Sequence, residues 1–156
     1  MSRDSAADFR AKYGPWAVVA GASQGLGEEY ARQLAARGLH VVMVARRAKL
    51  TTEIAQELAA TYGVQTRVIP LDLAQADAAE VVERETADLE VGLLVYNAAL
   101  SVIGRFFDAE LVEHTAEIDT NCRAPMMLTH ILGRKMAAWR RSKSPKISFS
   151  GEKFAQ

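Results

Sequence analysis

Residues Trp16 to Ala20 form a short, Val-rich apolar run that passes directly into Gly21-Ala22-Ser23-Gln24-Gly25-Leu26-Gly27. No other stretch constrains the chain as tightly. A run of this length ending in a turn reads as a strand buried on both faces, as in parallel sheets. The glycines permit positive φ or close approach of the backbone to another group. From Leu26 the pattern turns helical, with Leu26, Tyr30 and Leu34 at spacing four and a stop near Arg37-Gly38. A strand entering a helix through glycines aims unpaired N–H groups and the positive end of the helix dipole at one spot. That spot suits a dinucleotide pyrophosphate. Three glycines in seven residues can also make a plain turn, but the strand before and the helix after favour binding.

The alternation repeats. His40 to Val44 reads as a second strand, and Leu50, Ile54 and Leu58 mark a second helix ending at Tyr62-Gly63. Thr66 to Leu71 is a third strand, and Ala74 to about Leu89 a third helix with Ala78, Val81 and Val82 turned inward. Val91 to Tyr96 is a fourth strand. From Glu110 to about Trp139 a long helix carries Leu111, Thr115, Ile118 and Cys122 on one stripe, and Pro125 should bend or divide it. Strict alternation with short connections implies right-handed crossovers and an α/β, doubly wound parallel sheet of the Rossmann kind. Residues 1–15 read as a lead-in, 16–139 as one NAD(P)-binding domain, and 140–156 as an atypical basic tail with a strand-like Lys146 to Ser150.

Composition narrows the function classes. With 156 residues the chain is one domain, and 49% hydrophobic with 24% charged residues is ordinary for a globular protein. Nineteen basic side chains balance nineteen acidic ones, so no overall field favours nucleic acid or an acidic membrane. Arg140, Arg141, Lys143 and Lys146 read as a solvated loop, since no aromatic residue interleaves with them. Cys122 is the single cysteine and reads as a small buried hydrophobe; it cannot form an internal disulfide, which fits a reducing compartment. Asp4 and Asp8 precede Trp16 without an apolar core, so no signal peptide is expected there, and no apolar run approaches ~18 residues. A soluble, cytoplasmic protein is the expectation. His40, His114 and His130 lack metal-ligand spacing, and Met126, Met127 and Met136 read as core.

The spacing Gly21-x-x-x-Gly25-x-Gly27, with Ser23 inside it, resembles the short-chain dehydrogenase/reductase family. Three further motifs follow in the family's order: Asp72 with Leu73 after the third strand, Asn97-Ala98-Ala99 after the fourth, and Asn121 within Asp119-Thr120-Asn121. Ala20 departs from the family's usual Thr, which predicts looser packing at the first turn, and Ala99 replaces the family's Gly. The resemblance implies that Gly21, Ser23, Gln24, Gly25, Leu26 and Gly27 seat a pyrophosphate and that Asp72 contacts the adenine. It further implies that Asn97, Ala98 and Ala99 border the adenine-side ribose and that Asn121 holds a water in a proton relay. Taken singly, Asp72 can be a helix N-cap, Asn97 a turn former, and Asn121 a polar residue serving the Pro125 bend.

Cofactor choice in such a fold is read at the end of the second strand, where an acid would accept the ribose hydroxyls. Here the residues are Ala45-Arg46-Arg47. A guanidinium pair offers charge-assisted phosphate recognition, so NADP(H) is expected over NAD(H). Two solvated arginines at a helix start are the alternative. Lys12 to Ala17 and Leu89 to Leu94 look like the branch containing 3-oxoacyl-CoA reductases and hydroxysteroid dehydrogenases.

In the family a fifth strand ends in the catalytic serine, and a Tyr-x-x-x-Lys pair follows. Ile147 to Gly151 resembles that strand, with Ser150 or Gly151 at the serine position depending on register, so Ser150 is a candidate. None of Tyr13, Tyr30, Tyr62 and Tyr96 has a lysine four residues later. A phenol titrating near ~10 is a poor acid at neutral pH without a neighbouring cation. The expectation is therefore an NADP(H)-dependent oxidoreductase by family, moving hydride between dinucleotide and a carbonyl or alcohol, and catalytically incomplete over these residues. The alternatives are a non-catalytic dinucleotide-binding fragment and an unstable truncated or frame-shifted remnant. A homo-oligomer through the 110–139 helix is a further expectation; nucleic acid, membrane and metal are not expected partners.

Overall fold

The computed structural model describes residues 6–143. Strands β1 (Trp16–Ala20), β2 (His40–Ala45), β3 (Thr66–Pro70) and β4 (Val91–Tyr96) form a parallel sheet in the order β3-β2-β1-β4. Helices α1 (Ala6–Tyr13), α2 (Gly25–Ala36), α3 (Ala48–Tyr62), α4 (Ala78–Glu85), α5 (Leu111–Ile118) and α6 (Ala124–Lys143) surround it. The chain builds outward from β1 to β3 and then crosses back to pair β4 with the free side of β1. That reversal opens a crevice at the carboxyl ends of β1 and β4, where ligands of such sheets bind.

Alternate residues of the strands feed two cores. Ala17, Val19, Val41 and Met43 pack with Ala31, Leu34 and Ala35 of α2 and with Ile54, Ala55 and Leu58 of α3. On the other face Val18, Ala20, Val42 and Val44 pack with Ala78, Ala79 and Val82 of α4 and with Ala124, Leu128 and Leu132 of α6. Val18, Val19, Val41, Val42 and Val44 are wholly removed from solvent, each burial favourable by ~1.5–3 kcal/mol. The β2 and β3 helical crossovers end as the glycines predict, with Gly38 at φ 82° and Gly63 at φ 66°.

The helix faces differ from the simple spacing-four reading. Leu26 and Tyr30 lie exposed, while Gly27, Ala31, Leu34 and Ala35 face the sheet. Small residues win that face because α2 sits so close to the turn before it. Helix α4 begins at Ala78 rather than Ala74, because Asp72 diverts the chain into a turn. Its Oδ1 accepts the Ala74 N–H at 3.0 Å, and its carbonyl accepts the Gln75 N–H. The stripe Leu111, Ile118 and Cys122 is exposed rather than buried, so Cys122 is not a core hydrophobe.

Pro125 divides the long helix, as its missing N–H predicts. Between α5 and α6 lies a five-residue π turn, Asp119–Arg123, in which the Ala124 N–H bonds back to the Asp119 carbonyl. Pro125 then lies in the first turn of α6, directly after the π turn, so the Asn121 carbonyl has no N–H four residues on to accept from. Helix α6 continues past Trp139 to Lys143. The strand-like segment with Ser150 and Gly151 lies outside the described residues.

Helix α1 is too short and too weakly patterned to stand out in the sequence. It docks against the rest of the chain through Arg10, which donates to the Gly38 carbonyl at 3.4 Å, and through Phe9, whose ring lies tilted against Tyr13 of the same helix and carries the Arg37 guanidinium over its face. Arg10 also lies 3.2 Å from His40 Nε2. The Gln65 N–H donates to His40 Nδ1 at 3.0 Å, so Nε2 carries the ring proton and the Arg10 contact is a close approach of like polarity.

Candidate functional site

A groove of about 380 Å³ lies at the carboxyl end of the sheet. Four segments build it, one at the carboxyl end of each strand: Gly21 with Ser23 to Leu26, Val44 to Arg47, Leu71 to Leu73, and Asn97 to Leu100, with Thr120 closing one side.

The glycine turn is fixed by backbone. Gly21 N–H donates to the Val44 carbonyl at 2.8 Å, and Asn97 N–H to the Ala20 carbonyl at 2.9 Å. Ala20 itself is fully buried, so the turn closes without a side-chain hydroxyl. Gly21 has φ 83°, and a Cβ there would lie 2.6 Å from the Ala98 nitrogen. Gly27 is enclosed still more tightly: a Cβ would lie 2.0 Å from the Gly21 carbonyl oxygen. Gly25 differs. At φ 58° a Cβ would meet nothing within 4 Å, which leaves open space over the turn. Gln24 enters α2 in extended conformation, and no side chain caps the helix, so its first N–H groups are presented to the groove.

Three charged side chains, Arg46, Arg47 and Asp72, line the groove. Arg47 donates from Nη1 to the Gln24 Oε1 at 2.5 Å, and Arg46 Nη1 lies 3.9 Å from the Asp72 Oδ2. The adjacent arginines thus splay in opposite directions, one toward the glycine turn and one toward the third-strand loop. Asp72 is an Asx-turn residue here and not a helix N-cap, since α4 starts six residues later.

Asn121 lies in the π turn and clamps the fourth segment. Its Oδ1 accepts the Leu100 N–H at 2.9 Å, and its Nδ2 donates to the Leu100 carbonyl at 2.7 Å. Nearby, the half-buried Tyr96 hydroxyl donates to the Thr120 carbonyl at 2.5 Å. Burial pushes the Tyr96 phenol up to about 12, so it stays neutral and is a structural donor.

The structure therefore brings Gly21, Ser23, Gln24, Gly25, Leu26, Arg46, Arg47, Asp72, Leu73, Asn97, Ala98 and Ala99 to one groove. Gly27 lies beneath it as a packing residue, and Asn121 acts on the rim through Leu100. Val44, Ala45, Leu71, Leu100 and Thr120 also line it. Ala45 and Thr120 stand inside the motifs already quoted, and Val44, Leu71 and Leu100 are sequence neighbours of one, an adjacency that was their only signal. Ser150 lies outside the described residues. Among the described residues there is no cluster of His, Cys, Asp and Glu able to hold a metal ion, and no helix long and apolar enough to cross a membrane.

A glycine-cradled, cation-flanked groove at the switch point of a parallel sheet defines a dinucleotide-binding class of protein. Comparison with known proteins makes this specific. The family model for short chain dehydrogenases matches residues 15–147, and the chain belongs to that family. The 7beta-hydroxysteroid dehydrogenase of Collinsella aerofaciens is 37% identical over 131 residues, covering 84% of this chain and 50% of that protein. The very-long-chain 3-oxoacyl-CoA reductase-A of Danio rerio is 40% identical over 90 residues, covering 58% of this chain and 28% of its own length. Both are of the branch that Lys12 to Ala17 and Leu89 to Leu94 indicate. A solved structure bearing on 7beta-hydroxysteroid dehydrogenase stereoselectivity superimposes with a TM-score of 0.81 at 37% identity, over 83% of this chain and 52% of the other. A short-chain dehydrogenase from Sphingobium yanoikuyae in complex with NADPH gives 0.75 at 28% identity, over 80% and 49%. The chain spans about half the length of the 7beta-hydroxysteroid dehydrogenases it matches and less of the 3-oxoacyl-CoA reductases.

Proposed function

We propose that these residues form the dinucleotide-binding half of an NADP(H)-dependent oxidoreductase acting on a carbonyl or alcohol. The observation that carries this reading is the convergence of the glycine turn, Arg46-Arg47 and Asp72 on one groove. The open space above Gly25 fits a phosphate against backbone N–H groups, and the unoccupied donors at the start of α2 fit its charge. Gly21, Ser23, Gln24, Gly25 and Leu26 would hold the pyrophosphate, Asp72 and Leu73 the adenine, and Asn97 to Ala99 the ribose beside it. The bound dinucleotide supplies the hydride chemistry.

Arg46 and Arg47 would hold a 2′-phosphate, with no acid at Ala45 to repel it. Support comes from their placement at the groove rim and from the NADPH carried by the Sphingobium yanoikuyae relative. Asn121 would serve a proton relay through its main chain. Both polar atoms of its amide are committed to Leu100, while Pro125 denies its carbonyl the N–H four residues on.

Acid–base catalysis is the part these residues do not carry. No tyrosine among the 156 residues is followed four positions on by lysine, and a placed general acid contributes typically ~10²–10⁴-fold. The 156-residue polypeptide is accordingly proposed to bind dinucleotide without turning over ketones or 3-oxoacyl thioesters at the rate of a full-length relative. Calorimetric titration with NADPH and NADH tests the reading. Tighter NADPH binding is expected, with the difference abolished in Arg46→Ala/Arg47→Ala; equal affinities in the wild type would contradict the NADP preference.

A further inference from the structure

The π turn reaches the groove in a second direction, through Arg123. This guanidinium donates from Nε to Asp119 Oδ1 at 2.8 Å, from Nη1 to the Ala76 carbonyl at 3.0 Å, and from Nη2 to the Ala74 carbonyl at 3.1 Å. The carbonyls lie 47 and 49 residues back in the chain, in the turn that follows Asp72 and Leu73. The start of this loop is anchored to the sheet by the Leu71 N–H on the Ala45 carbonyl at 3.2 Å and by burial of Leu71 and Leu73. The 74–76 turn beyond it has otherwise only short-range bonds: Ala74 and Gln75 to Asp72, and Ala78 to Gln75. A rigid fork with one arm oriented by a carboxylate is the side chain best suited to grip two carbonyls at once.

We propose that Arg123 is a positioning residue for the adenine-side wall of the groove, holding the Asp72–Leu73 loop at its working distance from Arg46. The inference rests on the dinucleotide reading above. Asn121 fixes Leu100 and Arg123 fixes Ala74 and Ala76, so one five-residue turn sets two walls of the groove. Placement of α4 itself does not depend on Arg123, because Ala78, Ala79 and Val82 are buried in the same core as Leu128 and Leu132 of α6.

The test uses 2′,5′-ADP, which occupies only the adenosine end, alongside NADPH. Arg123→Met, which keeps the apolar stem, should weaken both ligands by about tenfold, the factor that ~1.4 kcal/mol produces. Arg123→Lys should not rescue binding, because donors on a single nitrogen cannot meet Asp119 and both carbonyls across the span that the three guanidinium nitrogens cover. Asp119→Asn, which keeps the fork and loosens its orientation, should give a smaller loss. Hydrogen exchange should show the 74–76 amides less protected while β1 and β2 amides stay unchanged. Unaltered 2′,5′-ADP affinity in folded Arg123→Met, or full recovery in Arg123→Lys, would overturn this inference alone. A wild type that binds neither ligand would instead overturn the dinucleotide reading. Should Arg123→Met not fold, the Lys and Asp119→Asn variants decide by the same measures.

Discussion

Gly25 and Gly27 stand two residues apart in one turn and do opposite work. Gly27 is a packing residue: any Cβ there would run into the Gly21 carbonyl at 2.0 Å, with backbone unable to yield. Gly25 faces open space, and its φ of 58° is its only intrinsic demand. Gly27→Ala should therefore shift thermal unfolding sharply downward or prevent folding. Gly25→Ala should cost only about 1–2 kcal/mol of left-handed strain, yet lose most dinucleotide affinity because its methyl enters the cradle. Circular dichroism melts paired with NADPH titration check both; equal destabilisation by the two variants would contradict the division. The sequence announces three glycines as a motif, but which of them touches ligand and which touches protein is set by the closeness of α2 to the turn, a tertiary fact. The Arg46-Arg47 pair was likewise visible, while its splay toward Gln24 and Asp72 was not.

At the scale of elements, β1 and β2 were legible because doubly buried strands read as continuous apolar runs. By contrast β3, an edge strand with only Ile69 buried, and the half-buried β4 were legible as short apolar segments between helical patterns. Periodicity misassigned helix faces where small residues do the packing, as in Gly27 and Ala31 of α2, and where a stripe such as Leu111 to Cys122 turns to solvent. The π turn was foreshadowed by Pro125, but its consequences, the Leu100 clamp and the Arg123 fork, link residues too distant for any local pattern. Asn121→Ala removes both bonds to Leu100. Because this clamp is solvent-accessible, a loss of about 1 kcal/mol is expected, read from the urea midpoint together with faster exchange of the Leu100 amide.

The edge where α1 docks carries a pH response. Burial first, and the Arg10 cation second, hold His40 below its ordinary value near 6.5. A folded-state pKa below the unfolded one means the unfolded chain takes up the proton first, so stability falls as pH drops through about 6.5 toward the folded value. Protonation also removes the acceptor for the Gln65 N–H. Between pH 7 and 5, the melting temperature should fall in the wild type and fall less in His40→Gln. Parallel curves would show that other groups set the acid limit.

For the molecule as a whole, the switch of chain direction beside β1 is what converts four local motifs into one groove. The doubly wound order could be inferred from strand–helix alternation, and the groove follows from it. Leu111, Val112, Ile118 and Met126 remain exposed on α5 and α6, which supports the proposed homo-oligomer through this region. Sedimentation velocity should show association that weakens in Leu111→Glu/Ile118→Glu; a monomeric wild type at all concentrations would remove that proposal. The central claim, that this groove is the dinucleotide site, is tested most directly by titrating the ¹⁵N-labelled 156-residue chain with NADPH and mapping amide shifts. The account predicts the largest changes at Gly21, Gly25, Arg47, Asp72 and Ala98, with α3 and the outer face of α5 silent. A folded chain whose spectrum does not change, or changes away from the carboxyl end of the sheet, would contradict it.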